Sequence, residues 1–119
     1  MTIRKVKLFS LAMLLVLPIS AFAVGAIAVD DEEGQTEPGY GLVTGYDSKE
    51  AAKRAAIKLC SKAGNTGCEV VAWFETCGAY ASSKKFYGAG WGKTLEAAEE
   101  MAVEKCGNDN CEVAVSECE

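Results

Sequence analysis

The sequence predicts an α+β fold in which two pseudo-symmetric strand-strand-helix-strand repeats form one disulfide-stapled domain. An alanine-rich helical pattern ends on a cysteine twice, at Cys60 and at Cys106. Each time a turn follows, and then a predicted strand rich in β-branched residues. Aligning Ser48 with Thr94 also aligns these two helix-terminal cysteines without a gap. All six cysteines of the 119-residue chain fall in the two copies, three in each.

The first 23 residues have the pattern of a signal peptide. A short basic segment precedes the mostly apolar residues 8–19, and Ala21-Phe22-Ala23 offers the small-x-small site that signal peptidase recognises. A membrane helix is the alternative, since residues 8–29 are long enough to span a bilayer. Because Pro18 interrupts this segment and acidic residues follow it, we expect cleavage after Ala23 and no stable membrane anchor.

The mature chain is expected to be a single exported domain, residues 24–119, located in the periplasm or outside the cell. Its first repeat is predicted at residues 25–77 and its second at residues 78–118. Removing the three cations of the signal peptide leaves 9 Lys and Arg against 17 Asp and Glu, a net charge of −8. This balance argues against nucleic acid and anionic membrane surfaces, which need cationic contacts, and it permits a basic partner. Two repeats are too few for a solenoid, so we expect them to pack as two halves around one modest core.

The first repeat has clear element boundaries. Its strands are predicted at residues 25–29, 40–46 and 68–76. Between the second and third strands lies a helix that Asp47 or Ser48 caps and that ends at Gly64-Asn65. We expect this helix to pack Ala52, Ala56, Leu59 and Ala63 against the sheet, with Ile57 and Cys60 widening the same stripe.

The second repeat is predicted to supply the same elements in the same order. Its strands are predicted at residues 78–81, 87–91 and 111–118. Thr94 is expected to cap its helix, which ends at Cys106. An acidic, turn-rich segment within the first repeat, residues 30–39, is expected to be a mobile loop.

The cysteines are predicted to form disulfides, as an even number in a small exported domain usually does. A zinc site is the alternative, but the chain has no histidine and its cysteine spacings are not those of zinc knuckles. Repeat symmetry and strand alternation predict three bridges: Cys60–Cys68, Cys106–Cys111 and Cys77–Cys118. The third bridge is expected to join the two halves and to stabilise the domain most, because it closes the longest loop.

Two segments carry a resemblance to a known family. They are residues 68–74, CEVVAWF, and residues 115–118, VSEC, set within a tandem pattern of Gly-Ala-Ile-Ala-Val, Gly-Tyr and a cysteine-ended helix. This pattern, over nearly all of residues 25–118, is similar to the secreted bacterial family called domain of unknown function 4189. The resemblance implies a small exported α+β domain with paired cysteines, and it implies no activity and no catalytic residues. The chain departs from the family in a longer acidic insertion at residues 30–38 and in a last strand, residues 111–118, without the Trp-Phe pair.

No motif in the sequence is typical of an enzyme site. A hydrolytic triad normally needs a histidine base, and histidine is absent. Six paired cysteines leave no thiolate nucleophile, and no Cys-x-x-Cys redox motif occurs. A pair of carboxylates remains open as an alternative, although most acidic residues lie on polar helix faces or in the acidic loop. We therefore expect a non-catalytic protein that needs no metal or other cofactor.

Aromatic side chains are the remaining indication of function. Trp73 and Phe74 point to opposite faces of one predicted strand, so one of them is expected in the core and the other is free to form a binding surface with Tyr46 or Trp91. The alternative is that a helix or the other half covers both. We expect an envelope protein that binds a protein partner, as an inhibitor or immunity-type protein does. The alternative function is a glycan-binding module, which coplanar exposed aromatic rings would favour over a flat acidic patch.

Overall fold

The computed structural model describes residues 23–31 and 38–119. In this part of the chain the elements occur as two copies of strand, strand, helix and strand, which confirms the predicted class and repeat. They are β1 Val24–Asp30, β2 Gly39–Tyr46, α1 Lys49–Lys62, β3 Glu69–Phe74, β4 Cys77–Ser82, β5 Tyr87–Gly92, α2 Leu95–Cys106 and β6 Glu112–Cys118. Neither helix in these ranges combines the length and hydropathy that crossing a bilayer requires. The predicted signal peptide, apart from Ala23, lies outside the described residues.

Each copy folds into a three-stranded antiparallel sheet with a helix on its outer face. The strand order is β2-β1-β3 in the first sheet and β5-β4-β6 in the second, so the first strand of each copy is central. The inner faces of the sheets pack together, with β1 on β4, β3 on β5 and β2 on β6. The layers therefore run helix, sheet, sheet, helix.

Side-chain alternation along the central strands produces these layers. In β1, Ile27 lies in the core between the sheets, whereas Ala28 packs under α1. In β4, Tyr80 lies in the core between the sheets, whereas Ala79 packs under α2. Both central strands are buried along their whole length, which explains why they consist of small and apolar residues.

Three stacked tyrosines fill one end of the core between the sheets. The Tyr80 ring lies 4.4 Å from that of Tyr40 and 6.3 Å from that of Tyr87, measured between centroids. The buried Tyr80 hydroxyl donates a hydrogen bond to the Pro38 carbonyl oxygen, 3.1 Å away. The stack therefore joins β2, β4 and β5 across the two sheets.

Both helices begin at the predicted hydroxyl residues. The side-chain oxygens of Ser48 and Thr94 accept hydrogen bonds from the backbone N–H groups of Ala51 and Ala97. Each cap satisfies one of the N–H groups that a helix leaves without a partner in its first turn. Of the two residues proposed to cap α1, Ser48 is the one that does so.

The predicted stripe of α1 is confirmed at Ala52, Ala56 and Cys60, which are buried, and is wrong at Ile57, Leu59 and Ala63, which are exposed. Ile57 is 37% and Leu59 is 44% exposed, whereas the buried residues of the helix are small. The reason is the close approach of helix and sheet: a Cβ on Gly41 would lie 2.6 Å from the backbone nitrogen of Cys60. At this separation the helix presents only small side chains, alanine and cysteine, to the sheet.

The three predicted disulfides are present. They are Cys60–Cys68, Cys106–Cys111 and Cys77–Cys118. The first two join the end of a helix to the following strand, as predicted. Disulfides of this number in so small a domain are typical of proteins that fold in an oxidising compartment outside the cytosol.

The prediction that Cys77–Cys118 joins the two halves is wrong. Cys77 is the first residue of β4, and Cys118 lies directly opposite it on β6 with the Cα atoms 3.9 Å apart. The bridge therefore joins neighbouring strands within the second sheet. The boundary between the repeats lies before Cys77 rather than after it, because the chain crosses to the second sheet there.

Asp30 belongs to β1 rather than to a mobile acidic loop. Its side chain is fully buried, and its Oδ2 atom accepts hydrogen bonds from the N–H groups of Thr66 and Gly67, each 3.0 Å long. A carboxylate bound to two backbone donors fastens the end of β1 to the turn after α1. Residues 32–37 of the predicted loop lie outside the described residues.

Candidate functional site

A surface groove opens where β3 and β5 form one side of the sandwich. Residues 71–76 and 91–93 line it, and its volume is about 570 Å³. Within the described sheets both strands are edge strands, each paired with a central strand on one side only. The groove is therefore bounded by two strand edges, one from each sheet.

Both tryptophans of the chain line this groove. Trp73 is 39% exposed and Trp91 is 40% exposed. In the ladders Trp73 lies opposite Ala26, on the α1 side of its sheet, whereas Trp91 lies opposite Gly78, on the inner side of its sheet. The two rings therefore reach the same groove from different faces of the two sheets.

A lysine ammonium lies over each tryptophan ring. Nζ of Lys49 is 4.6 Å from the ring centroid of Trp73, and Nζ of Lys105 is 4.5 Å from that of Trp91. An exposed cation–π contact of this kind contributes about 0.5–1 kcal/mol. The contacts place two positive charges beside the aromatic surface of the groove.

The other two candidate residues occupy different positions. Phe74 is only 3% exposed, and its ring occupies space left by two glycines, since a Cβ on Gly78 would lie 2.2 Å from it. Phe74 is therefore a core residue beneath the groove and not a free contact surface. Tyr46 is 36% exposed at the end of β2, where it lines a separate depression with Arg54.

The pseudo-equivalent edge of the second sheet carries no tryptophan. The position on β6 that corresponds to Trp73 is Ser116, because each lies opposite the equivalent alanine of its central strand. The Ser116 hydroxyl donates a hydrogen bond to Glu99 on α2. At the end of the chain, Glu119 Oε1 accepts a hydrogen bond from the N–H of Gly45, 2.8 Å away. Polar side chains that bond within the chain therefore stand where the first repeat has its tryptophan, and the aromatic groove belongs to one side of the molecule.

Lysines were the part of the site that the sequence did not indicate. Neither Lys49 nor Lys105 belongs to a sequence pattern that predicts contact with an aromatic ring. Each lies on a helix, whereas the ring it contacts lies on a strand. No spacing in the sequence relates a helix position to an edge-strand ring in this way.

Potential metal ligands do not cluster in the described part of the chain. No group of three or more His, Cys, Asp or Glu side chains is placed there to hold an ion. All six cysteines are in disulfides. The chemistry that the groove presents is therefore aromatic and cationic.

Comparisons with known proteins agree with the extent of this fold. The chain is 39% identical over 62 residues to Protein Mb1300c of Mycobacterium bovis and, equally, to Protein Rv1269c of Mycobacterium tuberculosis. The aligned segment covers 52% of this chain and 48% of each relative, so the chain spans about half the length of the curated relatives it matches. No solved structure gives a significant match. The family model described as "Domain of unknown function (DUF4189)", a description that names no reaction, matches residues 24–118, from the first strand to the last, and the chain belongs to this family.

Proposed function

We propose that this chain is a small, exported, non-catalytic protein of the bacterial envelope that binds another protein through the groove of Trp73 and Trp91. The observation that carries the proposal is that both tryptophans line a single groove while 39% and 40% of their side chains remain exposed. An inhibitor or immunity-type protein would work in this way, by covering a surface that its partner needs.

The exposed tryptophan surface is large enough to contribute substantially to a complex. Covering the accessible part of each ring would remove roughly 100 Å² from water, or about 2.5 kcal/mol per ring at about 25 cal/mol per Å². Tryptophan is also enriched among the few residues that dominate the binding energy of protein interfaces. Two such rings in one groove would form the centre of an interface.

The non-catalytic part of the proposal rests on the inventory of reactive groups. The sequence has no histidine, and all six cysteines are in disulfides. Neither the commonest general base nor a free thiol nucleophile is therefore at hand. Export rests on the signal-peptide pattern together with the three disulfides.

A module that binds cell-envelope glycan is the second candidate. The observation that favours it is the same pair of tryptophans in one groove, because sugar rings stack on exposed aromatic faces. The lysines favour the protein partner, since each ammonium occupies part of a ring that a sugar would cover. Protein binding is therefore the function that the geometry supports better.

A pull-down from envelope extract tests the proposal. The wild-type chain should retain a protein that the Trp73→Ala/Trp91→Ala variant does not retain. Phe86→Ala is the matched control, because Phe86 is 48% exposed in the turn between β4 and β5, outside the groove. A double variant that keeps its wild-type circular dichroism and still retains the partner would show that the groove is not the binding site. Tryptophan-dependent recovery of glycan instead of protein would select the second candidate.

A further inference from the structure

Charge is distributed unevenly over the outer faces of the molecule. Helix α1 has five cationic residues and one acidic residue, whereas α2 has one cationic residue and four acidic residues. Each helix covers the outer face of its own sheet, so the two lie on opposite sides of the sandwich. One outer face is therefore basic and the other acidic, although the chain as a whole is acidic.

The groove receives one lysine from each helix. Lys49, the first residue of α1, lies over one tryptophan ring, and Lys105 lies over the other. Lys93 lines the groove itself, and Glu75 is the acidic residue of its lining. Among the residues that line the groove or contact its tryptophan rings, three are cationic and one is acidic, which favours a ligand of negative charge.

The strand edges of the groove add a second kind of recognition. The outer edges of β3 and β5 pair with no other strand in the described sheets. An extended peptide can add to such an edge through main-chain hydrogen bonds while its side chains enter neighbouring pockets. Where β3 pairs with β1, the register shifts between Val70 and Ala72. The regularly paired part of β3 at this end is therefore residues 72–74, which line the groove.

Building on the proposed function, we infer that the groove binds an extended acidic segment of the partner protein. Carboxylates of the segment pair with Lys49, Lys93 and Lys105, and its backbone adds to the edge of β3. An apolar side chain of the segment packs against Trp73 and Trp91. A glycan lacks the main-chain groups that would pair with a strand edge, and a flat membrane surface does not match a concave groove.

Intrinsic tryptophan fluorescence tests the inference, because both tryptophans of the chain line the groove. The probes are a peptide of alternating glutamate and leucine, its glutamine counterpart and its lysine counterpart. The glutamate peptide alone should shift the emission of the wild-type chain, and its affinity should fall about tenfold between about 0.05 M and about 0.5 M salt. Lys93→Glu should weaken binding at least about tenfold, whereas Lys84→Glu, exposed in the turn between β4 and β5, should leave it unchanged.

The outcomes separate the inference from the proposed function. Three results would overturn the inference that the groove binds an acidic segment. They are equal binding of the glutamate and glutamine peptides, tighter binding of the lysine peptide, and no response to any peptide. A response only to anionic lipid vesicles or to an N-acetylglucosamine oligomer would overturn it as well. In each case, a protein that is still retained only through Trp73 and Trp91 would leave the proposed function in place.

Discussion

Removing the Cys77–Cys118 bridge should lower the free energy of unfolding more than removing Cys60–Cys68. The two bridges are comparable because each has one buried cysteine: Cys77 is 2% and Cys60 0% exposed, so alanine leaves similar cavities. The remaining difference is the entropy of the unfolded chain. A separation of 41 residues corresponds to about 4 kcal/mol and a separation of 8 residues to about 2.5 kcal/mol. Cys77→Ala/Cys118→Ala should therefore be about 1.5 kcal/mol less stable than Cys60→Ala/Cys68→Ala.

Urea denaturation followed by circular dichroism measures both free energies of unfolding. Hydrogen exchange then locates the loosened region, and because the longer bridge joins β4 to β6, protection should fall in the second sheet and persist in β1 and β2. A bridge between the halves would instead lower protection in both sheets. Equal free energies in the two double variants, or an equal loss of protection in both sheets, would refute this reasoning.

Three further predictions concern single residues, each measured by urea denaturation. Gly90→Ala should destabilise the domain by about 1–3 kcal/mol, because its Cβ would lie 2.2 Å from a backbone oxygen of α2. Gly39→Ala should destabilise it less, because the nearest atoms to its Cβ belong to the flexible amide side chain of Asn65. A larger loss of stability in Gly39→Ala than in Gly90→Ala would contradict this packing. Asp30→Asn should lower the free energy of unfolding by about 1–3 kcal/mol, because two backbone N–H groups lose a charged acceptor. Asp31→Asn, which changes the exposed neighbouring residue, should leave the free energy of unfolding nearly unchanged. Equal effects of the two substitutions would show that the buried carboxylate has no special role. Burial, together with two nearby carboxylates, raises the pKa of Tyr87 above its ordinary value of 10.0, so the unfolded chain loses this proton at lower pH than the folded one, and stability should fall as the pH rises above about 10. Tyr87→Phe should flatten that fall, and an unchanged slope would show that another group is responsible.

The type and order of the elements could be predicted because their signals are local. Ser48 and Thr94 carry the hydroxyls that cap helices, and each helix is followed by a glycine with positive φ, 100° at Gly64 and 71° at Gly107. The strands between them consist of β-branched and small residues bounded by these signals. None of this information depends on where the elements lie in space.

Burial and the placement of Cys77 depend on tertiary contacts and were therefore predicted less well. Leu59 is more hydrophobic than any residue of the buried stripe, but the helix lies too close to the sheet to admit it. Cys77 stands only three positions after the last residue of β3, so along the chain it resembles the end of the first repeat. The pairing with Cys118 was still predicted correctly, because symmetry assigned the other four cysteines and left these two for each other.

The candidate groove depends on where the two repeats differ. Cysteines, caps and alanine stripes recur because both halves need them for packing, so they carry no information about one-sided binding. The Trp73–Phe74 pair corresponds to Ser116 and Glu117 in the second repeat, and this departure was visible in the sequence. The side chains of Ser116 and Glu119 hydrogen-bond within the chain, whereas the aromatic rings and their lysines lie on the opposite side, where about two fifths of each ring is open to a partner.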